Sequence, residues 1–107
     1  MTVRTVNKLV RDKVPGMILL NGETPNFRIL EDEEFLDALN EKLLEEVDEY
    51  MGSKSLEELA DILQVICAIA DVLGGGYKEI EYIMDEKAIE RGRFETHVFL
   101  ESVSDAK

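Results

Sequence analysis

Two clusters of acidic residues, separated by a short stretch of chain, are the residues in this sequence best suited to carry chemistry. Glu45, Glu46 and Glu49 form an E-E-x-x-E pattern, and Glu58 and Asp61 form E-x-x-D. Residues three or four apart share one face of an α-helix, so each cluster places its carboxylates side by side. If the two helices run antiparallel, these carboxylates point into one space. Oxygen donors favour a hard divalent cation; we expect Mg²⁺, and Mn²⁺ suits the same ligands.

The spacing of apolar residues predicts the helices that position these acids. Residues 32–51 form one predicted helix, with Asp32 as its N-cap and an apolar stripe at helical spacing: Leu36, Leu39, Leu43, Val47 and Tyr50. Residues 55–73 form a second, which starts with the capping-box pattern S-x-x-E from Ser55 to Glu58. At 100° per residue, Glu46 lies beside the apolar stripe of the first helix. A cation there would be partly sheltered from water.

The capping box offers a second interpretation of one acid. Glu58 can serve only to cap its own helix, although this leaves Glu46, Glu49 and Asp61 unexplained. Runs of acidic residues also commonly form a solvated face. The residues by themselves therefore leave a metal site and a solvated acidic face both open.

The remaining patterns predict an all-α fold. A short helix over residues 15–20 ends at the turn signal Asn21-Gly22, and residues 78–91 form another helix after three glycines. A marginal β-hairpin between residues 27–30 and 96–100 is a further prediction. Because the second long helix is apolar around much of its circumference, it needs cover on more than one side. We predict a small helical bundle, one domain over residues 1–107, that forms a homodimer or larger homo-oligomer.

The charge of the chain restricts its partners. With 24 acidic and 12 basic residues, the net charge of −12 argues against binding a nucleic-acid polymer, which requires a basic surface. A free nucleotide stays possible, because a metal ion can bridge acidic side chains to phosphates. There is one cysteine, no signal-peptide pattern and no apolar stretch near the roughly 20 residues of a membrane span. We therefore predict a cytoplasmic protein without a membrane partner.

Four segments resemble one enzyme family. Residues 44–49 (L-E-E-V-D-E) followed by residues 57–63 (E-E-L-A-D-I-L) resemble the MazG-type all-α nucleoside triphosphate pyrophosphohydrolases. Residues 7–15 (N-K-L-V-R-D-K-V-P) and 87–94 (K-A-I-E-R-G-R-F) are similar to the opening and closing motifs of a compact branch of that family. That branch is described as phosphoribosyl-ATP pyrophosphohydrolase-like, or as predicted house-cleaning nucleotide pyrophosphatases. The resemblance spans nearly the whole chain and implies a helical bundle that holds Mg²⁺.

The resemblance also implies roles for particular residues. The metal set is Glu45, Glu46, Glu49, Glu58 and Asp61, with Glu45 or Glu46 as the catalytic base that accepts a proton from water. The candidate phosphate contacts are Lys8, Arg11, Lys13, Lys87 and Arg91, although Lys8 and Lys13 can equally pair with surface acids. In one departure from the family, only eight residues separate Glu49 from Glu58, so the acids that touch the metal directly are not assigned.

Three functions follow as hypotheses. The first is Mg²⁺-dependent pyrophosphohydrolysis of a nucleoside triphosphate, standard or non-standard, to a monophosphate and pyrophosphate. The second is phosphoribosyl-ATP pyrophosphohydrolysis, against which the terminal motifs weigh. The third is a non-catalytic acidic helical module that binds a basic protein. A calcium sensor is not expected, because the D-x-[DN]-x-[DN]-G loop is missing.

Overall fold

Four α-helices account for the regular structure of the residues that the structure describes. The structure is a computed structural model that describes residues 2–105. The helices are α1 (Val14–Leu20), α2 (Asp32–Ser53), α3 (Leu56–Leu73) and α4 (Gly76–Arg91). The residues that the structure describes contain no β-strand. The prediction of an all-α helical bundle is confirmed, and each predicted helix is present with its ends displaced by two residues at most.

Helices α2 and α3 form a hairpin with a two-residue connection. Lys54 takes a left-handed conformation (φ 52°), and its backbone N–H donates to the Tyr50 carbonyl at 2.6 Å, which ends α2. The Ser55 hydroxyl then accepts a hydrogen bond from the Glu58 backbone N–H at 3.3 Å, as the capping box predicts. Because the connection is so short, the first turns of α3 must lie beside the second half of α2.

Helix α4 leaves the hairpin at a sharp angle. Gly74, Gly75 and Gly76 all have positive φ, and the axis of α4 is bent by 103° from that of α3. An apolar cavity of about 310 Å³ lies between the two helices, with Ile66, Ile69, Leu73, Ile80 and Ile83 in its lining. The bend between α3 and α4 requires glycines, because other residues rarely adopt positive φ.

The predicted N-cap of α2 is wrong. Glu31 is the N-cap, in an extended conformation and with no side-chain capping bond, and Asp32 is the first helical residue with φ 44°. Arg28 instead connects the preceding chain to the first turn. Its guanidinium donates to both carboxylate oxygens of Glu34, at 3.0 and 2.6 Å. This two-pronged ion pair is solvent-exposed, so it links the preceding chain to the first turn of α2 but contributes little stability.

The predicted β-hairpin is also wrong. Residues 27–30 and 96–100 have no regular structure, and the apolar side chains of the second segment are solvent-exposed, with Val98 at 82% and Phe99 at 86%. An isolated pair of strands is only marginally stable unless a third strand or a helix covers one face. No such cover is present over these segments in the described part of the chain.

The chain buries little of its apolar surface. Among the described residues only two apolar side chains, Leu39 and Ala70, are buried. The accessible surface is 9969 Å², whereas a compact monomer of this mass exposes about 6,000 Å². The radius of gyration is 19.4 Å against about 13 Å for a compact chain of this length. The non-helical segments at both ends increase the accessible surface and the radius of gyration. Leucines on the helices are exposed as well.

None of the described helices is by itself long and apolar enough to cross a membrane. Together α3 and α4 have the length and apolar composition of a span, but the chain is bent between them.

Candidate metal centre

Glu46, Glu58 and Asp61 converge between α2 and α3. One carboxylate oxygen of each residue lies within 4.8 Å of those of the other two. Glu46 comes from α2, and Glu58 and Asp61 come from the first two turns of α3, which the short connection holds beside it. The structure thus brings together three of the five predicted metal ligands.

Glu46 is the buried member of this acidic triad. The residue is 7% exposed; its Oε1 lies 3.4 Å from the Lys42 ammonium, and its Oε2 is buried without a hydrogen-bond partner. Burial raises the pKa of Glu46, and the charges of Glu49 and Asp61 raise it further, while Lys42 acts in the opposite direction. Glu58 also has a buried Oε2 without a partner. Buried, unpaired carboxylate oxygens are costly unless a cation or a proton joins them.

The geometry and donor chemistry of the triad suit a small hard cation. All three donors are carboxylate oxygens, and the triad contains no nitrogen or sulfur ligand that would favour zinc or copper. Two oxygens bound to one Mg²⁺ at about 2.1 Å are at most about 4.2 Å apart. A small movement of the side chains therefore brings all three oxygens within bonding range of one ion.

Glu45 and Glu49 lie at the edge of the triad. The Glu45 carboxylate accepts a hydrogen bond from the Lys8 ammonium at 3.3 Å and lies 3.5 Å from that of Lys42. Partial burial acts to raise the pKa of Glu45, but the two ammonium groups outweigh it and the pKa is lowered. Glu49 is exposed and outside the group of three, although its charge acts on Glu46. Both acids therefore lie beside the triad, with Glu45 half-buried like Glu58 and Asp61 and Glu49 open to solvent.

Two N-terminal bases reach the acids from a distant part of the sequence. Arg11 donates from its guanidinium to Asp61 Oδ1 at 2.7 Å, and Lys8 donates to Glu45. Residues 2–11 have no regular structure, so this segment reaches the α2–α3 helical hairpin as an irregular loop. Lys13 is the N-cap residue of α1, and no ion pair of its side chain is present among the described residues. Lys8 does pair with an acid, which is the alternative to phosphate binding that the sequence left open for it. Its partner is Glu45, one of the five predicted metal ligands.

Lys87 and Arg91 lie elsewhere. Both line an open groove of about 630 Å³ at the C-terminal end of α4, together with Arg93 and the 96%-exposed Phe94. Neither forms an ion pair with the acidic triad in the part of the chain that the structure describes. Two of the five predicted phosphate contacts, Lys8 and Arg11, therefore lie at the acidic residues and two lie on α4, while Lys13 belongs to neither group.

Lys42 is a site residue that the sequence reasoning did not assign. Its side chain is only 23% exposed, and its ammonium contacts both Glu45 and Glu46 on the same helix. The signal was available, because a lysine three and four residues before two glutamates faces them on a helix.

Comparison with known proteins adds little to this geometry. No protein-family model matches the chain, and no solved structure matches it. A segment of 42 residues is 50% identical to an uncharacterized protein of Mycolicibacterium smegmatis; it is 39% of this chain and 43% of that relative. The match covers less than half of either protein.

Proposed function

We propose that this protein is a metal-dependent nucleotide pyrophosphohydrolase whose divalent cation, Mg²⁺ or Mn²⁺, is bound by the acidic triad. The observation that carries the proposal is the buried, unpartnered Oε2 atoms of Glu46 and Glu58, which lie in a group of three carboxylates. A charge run that serves only solubility faces water, whereas Glu46 is 7% exposed. Burying a carboxylate beside two others is costly, and a divalent cation offsets that cost.

The residues around the triad have distinct roles in the proposed reaction. When held by Glu46, Glu58 and Asp61, Mg²⁺ would supply charge neutralisation at the phosphate oxygens and would lower the pKa of the attacking water. Glu45 lies beside the triad without being one of its three members, and it is partly open to solvent, so it is the better candidate to accept the proton of that water. The water oxygen forms a bond to the α-phosphorus, and the bond to the leaving pyrophosphate breaks. Glu46 is better suited to bind the metal, since it is buried.

The first test is pyrophosphate release from a panel of normal and modified nucleoside triphosphates and phosphoribosyl-ATP, with Mg²⁺ and with EDTA. Glu58→Gln should lower the rate by about 100-fold or more, because it removes one metal ligand. Glu57→Gln is the matched control: the same change one residue earlier, outside the triad, should leave the rate near that of the wild type.

The panel also separates the alternatives. Cleavage restricted to phosphoribosyl-ATP would favour a phosphoribosyl-ATP pyrophosphohydrolase. If no substrate is cleaved and neither Mg²⁺ nor Mn²⁺ binds by calorimetry, the enzyme proposal is wrong and an acidic protein-binding module becomes the better account.

We also propose that the functional unit contains a second copy of this chain. The accessible surface exceeds that of a compact monomer by about 3,900 Å², and stable interfaces bury about 1,200–2,000 Å² in total, or more in obligate dimers. Exposed apolar residues occur at helical spacing on two helices: Leu44, Val47 and Met51 on α2, and Leu56, Leu59 and Leu63 on α3. A second copy would cover these apolar stripes. It would also enclose more of a bound nucleotide than one chain can.

Equilibrium sedimentation tests the second copy. We expect a dimer or larger species at micromolar concentration, and dissociation by Leu63→Glu, which places a charge on the α3 stripe. Leu100→Glu is the control, because Leu100 is also exposed but lies in the irregular C-terminal segment. A monomeric wild type would overturn this proposal and leave the catalytic one intact.

A further inference from the structure

The N-terminal segment places two cations on carboxylates of the candidate metal centre. The pairs join residues far apart in sequence: Arg11 with Asp61 at 2.7 Å, and Lys8 with Glu45 at 3.3 Å. Both basic side chains are more than half exposed, at 59% and 55%. These contacts therefore form at the open side of the site, while Lys42 lies on the helix itself.

A divalent cation and Arg11 require the same carboxylate. A cation bound by Asp61 lies close to the Arg11 guanidinium, and the two positive charges repel each other. Arg11 occupies one of the two Asp61 oxygens, so the metal competes with it for the charge of this carboxylate. Metal binding therefore weakens the Arg11–Asp61 pair.

The ion pair between Arg11 and Asp61 can open without movement of the Arg11 backbone. The Arg11 carbonyl accepts a hydrogen bond from the Val14 N–H at 3.0 Å, which ties its backbone to the start of α1. The side chain is long and exposed, so its guanidinium can move several ångströms while this anchor stays in place. The same geometry that fits a carboxylate also fits a phosphate group.

We propose that Lys8 and Arg11 form an exchangeable cationic strap, which neutralises Glu45 and Asp61 in the metal-free protein and transfers to substrate phosphates when the metal is bound. This inference rests on the proposed function, since it assumes that the triad binds a divalent cation. The strap couples the two ligands: it opposes binding of the metal alone and favours binding of the metal together with a polyphosphate. The strap compensates the charge of Glu45 and Asp61, whereas the Oε2 atoms of Glu46 and Glu58 stay without a partner and available to the metal.

The test is the affinity of the nucleotide-free protein for Mn²⁺, measured by the paramagnetic resonance signal of the free ion. Arg11→Ala should bind Mn²⁺ about two- to fivefold more tightly than the wild type, the amount expected for removing one exposed ion pair. In the presence of Mg²⁺, the same variant should bind inorganic pyrophosphate at least about fivefold more weakly, because a charged hydrogen bond is lost.

Arg4→Ala is the matched control. Arg4 belongs to the same segment and has the same charge, but it pairs with Glu23 at 3.1 Å, away from the triad. It should leave both affinities unchanged, and helix content by circular dichroism should be the same in all three proteins. An equal gain in Mn²⁺ affinity in Arg4→Ala would show that only net charge matters and would overturn the strap.

The outcomes separate this inference from the proposed function. If the wild type binds Mn²⁺ and Arg11→Ala binds it equally or more weakly, the strap is wrong and the metal centre stands. If pyrophosphate affinity is unchanged in Arg11→Ala, the transfer to phosphate is wrong. If neither protein binds Mn²⁺, both proposals fall. Tighter Mn²⁺ binding in Arg11→Ala without nucleotide cleavage by the wild type would support the strap and overturn the enzymatic proposal.

Discussion

Replacing Glu46 by glutamine should stabilise the metal-free protein and remove its response to divalent cations. The Glu46 side chain is 9% exposed, its Oε2 has no partner, and oxygens of Glu58 and Asp61 lie within 4.8 Å. Glutamine has the same shape but carries no charge, and its amide N–H groups can donate to those oxygens. The substitution thus replaces repulsion between carboxylates by a hydrogen bond.

The expected magnitude follows from two opposing contributions. A hydrogen bond to a charged group contributes about 1.5–3 kcal/mol, and the loss of the i,i+4 pair with Lys42 costs about 0.3–0.5 kcal/mol. The net gain in unfolding free energy is about 1–2.7 kcal/mol, which for a domain of this size raises Tm by at least about 4 °C. The variant also loses a metal ligand, so Mg²⁺ should no longer raise its Tm as binding raises that of the wild type.

The stability that Glu46→Gln gains over the wild type should increase with pH. Because the folded state raises the pKa of Glu46, ionised Glu46 destabilises the wild type, fully so above the folded pKa. This penalty disappears as pH falls below the ordinary glutamate value of about 4.5, where the wild-type side chain is protonated in both states. The Tm difference should therefore be largest at high pH and shrink towards acidic pH. Thermal unfolding by circular dichroism, in EDTA and in Mg²⁺, measures it.

Glu45→Gln is the matched control with the opposite sign. The folded state lowers the pKa of Glu45, so its ionised form contributes stability above the unfolded value, and that stability is lost as pH falls through the folded pKa. We expect Glu45→Gln to lower the unfolding free energy by less than about 1 kcal/mol at neutral pH. A lower Tm for Glu46→Gln in EDTA at neutral pH, or a Tm that still rises with Mg²⁺ as in the wild type, would refute the reasoning.

Two further predictions concern the turns that hold the helices, and thermal unfolding checks both. Ser55→Ala removes the hydroxyl that accepts from the Glu58 N–H and should cost about 1 kcal/mol, while Ser55→Asp should retain most of the stability. Gly75→Ala should destabilise by about 1–3 kcal/mol, because φ is +96° and a new Cβ would lie 2.8 Å from the Cβ of Glu79. Gly52→Ala, in α2 with nothing within 4 Å, should instead stabilise by about 0.5–1 kcal/mol; the same sign in both alanine variants would contradict this account of the α3–α4 turn.

The local features of the site were predictable from the sequence. Glu58 and Asp61 are three residues apart on a helix that the apolar spacing predicts, so they must share a face. The break between α2 and α3 is short, which forces the helices to lie side by side and brings Glu46 opposite those two acids. The β-hairpin was not predictable in this way: residues 94–100 alternate like a strand, but nothing packs on residues 96–100 in the described part of the chain.

Packing decided the remaining features, because it joins residues that no local pattern connects. Glu45 and Glu46 are adjacent and chemically identical, yet the pKa of one is lowered by Lys8 and Lys42 while burial raises that of the other. The pairs of Lys8 with Glu45 and Arg11 with Asp61 span 37 and 50 residues. The sequence by itself determined which residues share a helix face. Only the tertiary structure decided which carboxylates are buried and which distant cations neutralise them, since both depend on how separate segments pack.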